Sequence, residues 1–237
     1  MSGHSKWAKI HRQKAVTDAK KGTVFTKHAN IITIAARAGG GDPEMNFKLK
    51  LAIEKAKQAN MPKDNIDRAI ARGTGENDDK KIEEVAYEGF GPGGVAFIIE
   101  CLTDNRNRTS ANIKHIFSLY GGSLGSPNSV LWQFEKKGMI GIKDINEETE
   151  LLLIDEGAEN IERIDNSFTL TCDVGSLERL KKILETKKIQ VAFADIEYIP
   201  KNTADVSDQA TKEKIEKFIS DIEELEEVNN YYTNANI

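Results

Sequence analysis

The first third of the chain is patterned as helices. Val24, Phe25, Ile31, Ile32 and Ala35 recur at three-four spacing with His28 on the same side, and Gly39-Gly40-Gly41 stops that helix. Asp42 at a cap position and Pro43 behind it predict a restart. The next stripe is Met45, Leu49, Ala52, Ile53 and Ala56; Asn60-Met61-Pro62 ends it, and Pro62 opens a short helix carrying Ile66, Ala69 and Ile70. Gly73-Thr74-Gly75 and the polar run Glu76-Asn-Asp-Asp-Lys-Lys81 then read as a solvated linker.

After the linker the period becomes that of strands. Val85 to Tyr87 and Val95 to Leu102 are β-rich runs joined across Gly89-Phe-Gly-Pro-Gly-Gly94, a hairpin connection. Asp104 can cap a helix from about Arg106 to Tyr120, whose apolar side is Ala111, Ile113, Ile116, Phe117 and Tyr120. Strands Val130 to Phe134 and Met139 to Ile142 follow, around a turn at Lys136-Lys137-Gly138. Next come a helix (Glu147–Glu156), two strands (Asn160–Ile164, Phe168–Cys172), a helix (Ser176–Glu185) and a strand (Val191–Tyr198). With the strand at Met139 this is βαββαβ, the ferredoxin-like arrangement. An amphipathic helix from about Ala210 to Glu227 closes the pattern, with Ile215, Phe218, Ile219, Ile222 and Leu225 on one side and acids on the other. The fold class is therefore α+β. The expected domains are a basic helical one over 1–75, an α/β one over 82–134 plus 200–237, and an inserted ferredoxin-like one over 135–199.

Charge changes this picture. The chain of 237 residues has a formal net charge of −5, but the balance is split. Residues 1–72 hold fifteen Lys/Arg against six Asp/Glu, and the remainder holds eighteen against thirty-two. A basic arm on an acidic body points to a polyanion partner, most often nucleic acid. No apolar run approaches the roughly 20 residues needed to span a bilayer, and the first residues lack the apolar core of a secretory signal. Cys101 and Cys172 sit in apolar, strand-like runs and form no CxxC pair, so a reducing cytoplasm is the expected compartment.

Candidate chemistry is sparse. The Gly89–Gly94 loop is followed by a strand, whereas a dinucleotide fingerprint needs a helix there, and no Gly-Lys-Ser/Thr occurs. His4 and His11 have no Cys or acidic partner at ligand spacing, His28 reads as a packed histidine, and His115 is isolated. No nucleophile elbow or His-Glu-x-x-His helix is present. Catalytic residues, metal ligands and cofactors are accordingly expected to be none. Two basic features remain. Lys6, Lys9, Arg12, Lys14, Lys20 and Lys21 surround Trp7; such cations neutralise phosphates, and a tryptophan can stack on an exposed base or anchor the arm to the core. Leu102-Thr-Asp-Asn-Arg-Asn-Arg-Thr109 joins a strand to a helix, where Asn105, Arg106, Asn107 and Arg108 can converge on an anion. Capping by Asp104 with solvated arginines explains that segment equally well. Arg68, four residues after Asp64, suits a local ion pair.

Several blocks together resemble the YebC family. They are Ser2-Gly-His-Ser-Lys-Trp-Ala8, Asp18-Ala-Lys-Lys21, Phe25-Thr-Lys27, Gly39-Gly-Gly-Asp-Pro43, Asn60-Met-Pro-Lys-Asp-Asn65 and Arg68-Ala-Ile-Ala-Arg-Gly73. Tyr87-Glu-Gly-Phe-Gly-Pro-Gly-Gly94, Leu102–Thr109 and Gly121-Gly-Ser-Leu-Gly125 complete the match; Ser126-Pro127-Asn128 departs mildly from it. Beyond Phe134 the likeness is one of length and pattern. The resemblance implies a helical domain and two α/β domains around a cleft, the third inserted in the second, with the C-terminal tail supplying the second domain's last helix. It also implies no enzyme activity and no cofactor. Members are described as DNA-binding transcriptional regulators; the mitochondrial relative is a translational activator, and bacterial members are linked to relief of ribosomes stalled on proline-rich stretches.

The leading expectation is a non-enzymatic, nucleic-acid-binding regulator of gene expression. Its principal cations are Lys6, Lys9, Arg12, Lys14, Lys20, Lys21, Lys27 and Arg37, with Arg106 and Arg108 as a second contact. The target is DNA, ribosomal RNA or both, and the ribosome is a candidate partner. A protein-interaction scaffold acting through the acidic C-terminal part, and an enzyme using the cleft, are the rival classes.

Overall fold

The computed structural model describes residues 18–75, 82–164 and 167–237. Contacts divide the chain into two compact units. Residues 134–201 form one; the described residues before and after that stretch form the other.

The discontinuous unit begins with helices α1 (Asp18–Gly39), α2 (Phe47–Gln58) and α3 (Lys63–Thr74). Ile32, Ala35, Ala36, Leu49, Ala52, Ile53, Ala56, Met61, Ile66 and Ala69 make their common core. Small residues let the helices approach closely. A Cβ added at Gly73 would lie 2.4 Å from the Thr33 carbonyl oxygen and 2.7 Å from Ala36 Cβ. Gly73 is therefore a helix-packing residue inside α3, where the sequence pattern suggests the start of a linker.

The cap of α2 also differs from expectation. Asp42 and Pro43 sit in a turn, and Met45 is 83% exposed. The cap is Asn46, whose Oδ1 accepts from Leu49 N–H at 3.1 Å. Its Nδ2 donates to the carbonyls of Ala35 and Gly40, each at 2.8 Å. An amide both donates and accepts, so this one buried side chain closes the end of α1 and the start of α2 together.

Strands β1 (Glu83–Phe90) and β2 (Ala96–Thr103) form the expected hairpin, in antiparallel register with Gly89 opposite Phe97. Pro92–Gly94 makes the turn. Helix α4 (Arg106–Leu119) is capped by Asn105, not Asp104: Asn105 Oδ1 accepts from Arg108 N–H at 3.1 Å. The short strand β3 (Ser123–Leu124) pairs with β1.

The inserted unit begins at β4 (Phe134–Ile142). This strand runs unbroken through Lys136-Lys137-Gly138, where the sequence pattern suggests a turn before a strand at Met139. Lys136, Lys137 and Gly138 pair with Tyr198, Glu197 and Ile196, and Gly138 also pairs with Cys172. Gly138 is there for close approach, not for a turn: an added Cβ would lie 2.9 Å from Cys172 Sγ. Helix α5 (Glu147–Asp155), strands β5 (Ala158–Ile164) and β6 (Ser167–Asp173), helix α6 (Leu177–Thr186) and strand β7 (Val191–Pro200) follow. The sheet order β5-β6-β4-β7, antiparallel throughout, is the ferredoxin-like topology read from the sequence.

The chain then returns to the first unit through β8 (Ala204–Asp205), α7 (Gln209–Glu224), β9 (Val228–Thr233) and β10 (Ala235–Asn236). The expected helix ends at Glu224, and the residues after it add a strand to the sheet β3-β1-β2-β9. Helices α4 and α7 meet that sheet through Phe218. Its ring lies 4.7 Å from Phe97 and 5.0 Å from Phe117, both edge-on.

Candidate nucleic-acid interface

The arm residues Lys6, Trp7, Lys9, Arg12 and Lys14 lie outside the described residues. Lys20 and Lys21 fall in the first turn of α1, where the backbone alone is described. The other sequence-nominated residues are placed, and most of them are held by the protein itself.

Lys27 is one of these. Its Nζ donates to the Glu223 carbonyl at 3.0 Å, tying α1 to the end of α7. Burial lowers its pKa, against the opposing pull of Glu223, Cys101, Glu226 and Glu227. An ammonium sunk on a helix terminus is structural cement, not a free phosphate contact. Arg37 donates from Nη1 to the Ile82 carbonyl at 3.0 Å and so joins α1 to the entrance of β1. His28 is packed, as expected: its pKa falls to about 4, chiefly through burial and secondarily through Lys55, and its Nδ1 has no hydrogen-bond partner.

The segment 104–109 is brought together, but around carboxylates. Arg106 Nε lies 2.6 Å from Glu83 Oε2, while Tyr87 donates its hydroxyl to the Arg106 carbonyl at 3.2 Å. Arg108 reaches Asp104 at 2.8 Å and Glu227 at 3.1 Å, and those two hydrogen bonds raise its pKa further. Asn105 caps α4, and Asn107 is exposed at its first turn. The arrangement is a surface ion-pair cluster linking β1, α4 and the turn after α7. The side chains of residues 105–108 all face solvent, and exposed pairs of this kind are weak and screened by salt.

A second anchored surface is not marked by any sequence motif. Glu88 is 8% exposed on β1. Its Oε1 accepts from Asn128 N–H at 2.7 Å, and its Oε2 accepts from Val130 at 2.9 Å and Leu131 at 2.7 Å. The carboxylate thus organises the loop before Trp132, which is 68% exposed. The sequence pattern suggests a strand from Val130 to Phe134. In the structure Leu131–Gln133 is a 3-10 turn that rotates the indole outward while Val130 and Phe134 stay buried. The turn-forming pair Pro127-Asn128 just upstream is the available signal; Asn128 takes φ 66°.

The two thiols are poorly suited to nucleophilic chemistry. Burial holds Cys101 up at about 12 and Cys172 at about 11, so both stay protonated at neutral pH. Among the described residues no group of His, Cys, Asp and Glu could hold a metal ion, and no helix is long and apolar enough to cross a membrane.

Known proteins resemble the whole chain. A probable transcriptional regulatory protein of Halothermothrix orenii is 47% identical over 243 residues, covering 100% of this chain and 96% of that one. A second protein of that name from Caldanaerobacter subterraneus is 46% identical over 241 residues, with 100% and 99% covered. The crystal structure of a conserved hypothetical protein from Aquifex aeolicus superposes with a TM-score of 0.86 at 40% identity, covering 97% of this chain and 96% of that one. The TACO1/YebC protein N-terminal domain matches residues 5–76, and the TACO1/YebC second and third domain matches residues 82–235. With both parts matched over nearly its full length, the chain belongs to the TACO1/YebC family.

Proposed function

We propose that this protein is a non-enzymatic regulator of gene expression that grips the phosphate backbone of a nucleic acid through its basic N-terminal third. The charge split carries the reading: fifteen Lys/Arg against six Asp/Glu over residues 1–72, in a chain that is acidic overall. The name shared by the relatives, probable transcriptional regulatory protein, supports a regulatory role.

Lys6, Lys9, Arg12, Lys14, Lys20 and Lys21 supply the principal cations, with Trp7 among them. Lys27 drops to a supporting role because its ammonium is committed to Glu223. Arg106 joins as a second contact by exchanging the exposed Glu83 carboxylate for phosphate, a small cost for a pair in solvent, and Arg108 does so by leaving Asp104 and the more enclosed Glu227. The acidic remainder of the chain limits non-specific adhesion.

Ribosomal RNA is the target we favour, with cytoplasmic action on the ribosome. A DNA reader usually lays a helix carrying base-reading side chains into the major groove. The exposed positions of α3 mix Lys63, Arg68 and Arg72 with Asp64 and Asp67, and those acids would face the phosphates. An arm of Gly, Lys, His and Trp suits irregular, folded RNA better. The relatives' name favours DNA, which stands as the alternative.

Competition between purified ribosomes and double-stranded DNA, at near-physiological salt and across a salt series, tests both. Retention on ribosomes with loss of DNA is expected. Reversal of Lys9, Arg12 and Lys14 to Glu should abolish ribosome co-sedimentation and flatten the salt dependence by about 0.7–0.9 for each phosphate no longer neutralised. Unchanged co-sedimentation would remove the arm from the mechanism, and sequence-dependent DNA binding that outlasts the ribosome signal would make DNA the target.

A further inference from the structure

A large aromatic left in solvent is informative when the backbone beneath it is fixed. Trp132 is such a residue. On its N-terminal side the Glu88 carboxylate accepts three backbone N–H groups, from Asn128, Val130 and Leu131. Gly125 N–H donates to the Glu88 carbonyl at 2.7 Å, Ser129 N–H to the Ser126 carbonyl at 3.1 Å, and Val130 is fully buried. On its C-terminal side Gln133 N–H donates to the Val130 carbonyl at 2.9 Å, and the Gln133 side chain accepts from Asn234 Nδ2 at 3.2 Å. The indole N–H itself is taken by the Ser129 carbonyl at 3.1 Å. What remains for a partner is the ring's π surface, already oriented and with little entropy left to lose.

The surroundings narrow the partner. A tryptophan that anchors a protein–protein contact usually sits inside a ring of residues that exclude water around it. The loop leading to Trp132 instead exposes Ser126, Pro127 and Asn128, two of them small hydrogen-bonding side chains. A rigid aromatic face with hydrogen-bonding side chains close by in the chain is the chemistry that receives an unstacked base: ring on ring, with polar groups for the base edge.

We propose that Trp132 is a stacking platform for an unpaired nucleobase, and that Glu88 is the residue that positions it. This rests on the nucleic-acid reading above and adds a ligand class to it: a single-stranded or loop nucleotide, since bases inside a duplex are already stacked. It also gives the discontinuous unit a contact that is independent of the arm's charge.

The chain has two tryptophans, so the Trp7→Phe protein leaves Trp132 as the sole indole and is used for the fluorescence alone, while affinities are compared with the wild-type protein. Oligoadenylate of about twelve nucleotides, within usual single-strand site sizes, is titrated against a duplex of the same length. Trp132 fluorescence should be quenched by the single strand and not by the duplex. Trp132→Ala should weaken single-strand binding, read by anisotropy of a labelled oligonucleotide, by about 5- to 150-fold, with the salt slope unchanged. Trp132→Phe should recover most of the loss. Single-strand binding that neither quenches Trp132 nor weakens in Trp132→Ala overturns the platform while leaving the nucleic-acid function intact, and assigns the indole to a protein partner. Equal quenching by the duplex also overturns it. Absence of binding to either nucleic acid brings down the platform and the parent reading together.

Discussion

Replacing Glu88 by Gln keeps the size of the side chain and removes half of its accepting capacity. In the wild type Oε2 takes the N–H groups of Val130 and Leu131, and Oε1 takes that of Asn128. The amide serves best with its oxygen at the Oε2 position. Asn128 N–H then faces an NH2 group, donor against donor, and the two surviving bonds lose their charge assistance. Hydrogen bonds to an ionised acceptor contribute about 1.5–3 kcal/mol each and neutral ones about 1 kcal/mol, so exchanging three of the first for two of the second should cost the loop roughly 2.5–7 kcal/mol. Hydrogen exchange on the full-length protein reads this locally. The amides of Asn128, Val130 and Leu131 should exchange about 60-fold faster or more, at roughly 1.4 kcal/mol per decade. Amides of Ala52 and Ala56, buried in the helical core, should be unchanged. Acceleration below about threefold at the loop would refute the positioning role, because it would mean that the loop holds its shape without the carboxylate. Equal acceleration in the helical core would mean that Glu88 stabilises the whole unit instead.

Three further outcomes follow from the geometry. If Asn46 acts mainly as a cap, Asn46→Asp should be as stable as wild type. Its two Nδ2 bonds to Ala35 and Gly40 predict instead that Asp, facing those carbonyls, is no better than Ala, with both about 2–4 kcal/mol down in urea unfolding of the helical core; an Asp variant near wild type would contradict this. For His28 the folded pKa of about 4 lies below the ordinary value of 6.5, so the unfolded chain binds the extra proton. Stability should be level above pH 6.5 and fall between there and about pH 4, by up to about 3 kcal/mol, and His28→Phe should flatten that slope; an unchanged slope would assign acid sensitivity to other groups. Lys27→Met should lower stability by about 1–2 kcal/mol and leave the salt slope of nucleic-acid binding unaltered, whereas a slope reduced by about one would return Lys27 to the interface.

The elements that sequence resolves well are those whose burial has a clean period. Leu177, Leu180 and Leu184 mark α6 unambiguously, and all three are fully buried. Strand β9 escapes such a reading because Val228-Asn-Asn-Tyr-Tyr-Thr233 is half polar. Its Asn230 and Tyr232 are accommodated by Glu100 on the neighbouring strand, a partner 130 and 132 positions away. The same distance problem hides the fate of the arginines. The density of basic residues is a local property and can be counted. Whether Arg106 and Arg108 are free depends on Glu83 and Glu227, 23 and 119 positions off. Trp132 is obscured for the opposite reason: a short, mostly apolar local run suggests a strand, while a buried carboxylate forty-odd residues earlier, bonded to Asn128 and Val130 at separations of 40 and 42, bends the segment into a turn.

Strand β9 has a bearing on how this protein is made. It pairs with β2 from Phe97 to Cys101, yet it is synthesised more than a hundred residues later, after the whole inserted unit. During translation the helical cluster and the contiguous ferredoxin-like unit can each fold as they emerge, since their partners lie close in the chain. The hairpin of β1 and β2 has to wait, with the apolar edge strand Ala96-Phe-Ile-Ile-Glu-Cys-Leu-Thr103 open to any passing strand until residues 228–233 arrive to cover it. Nascent or truncated chains lacking that last strand are the forms of this protein most exposed to edge-to-edge aggregation and to chaperone capture.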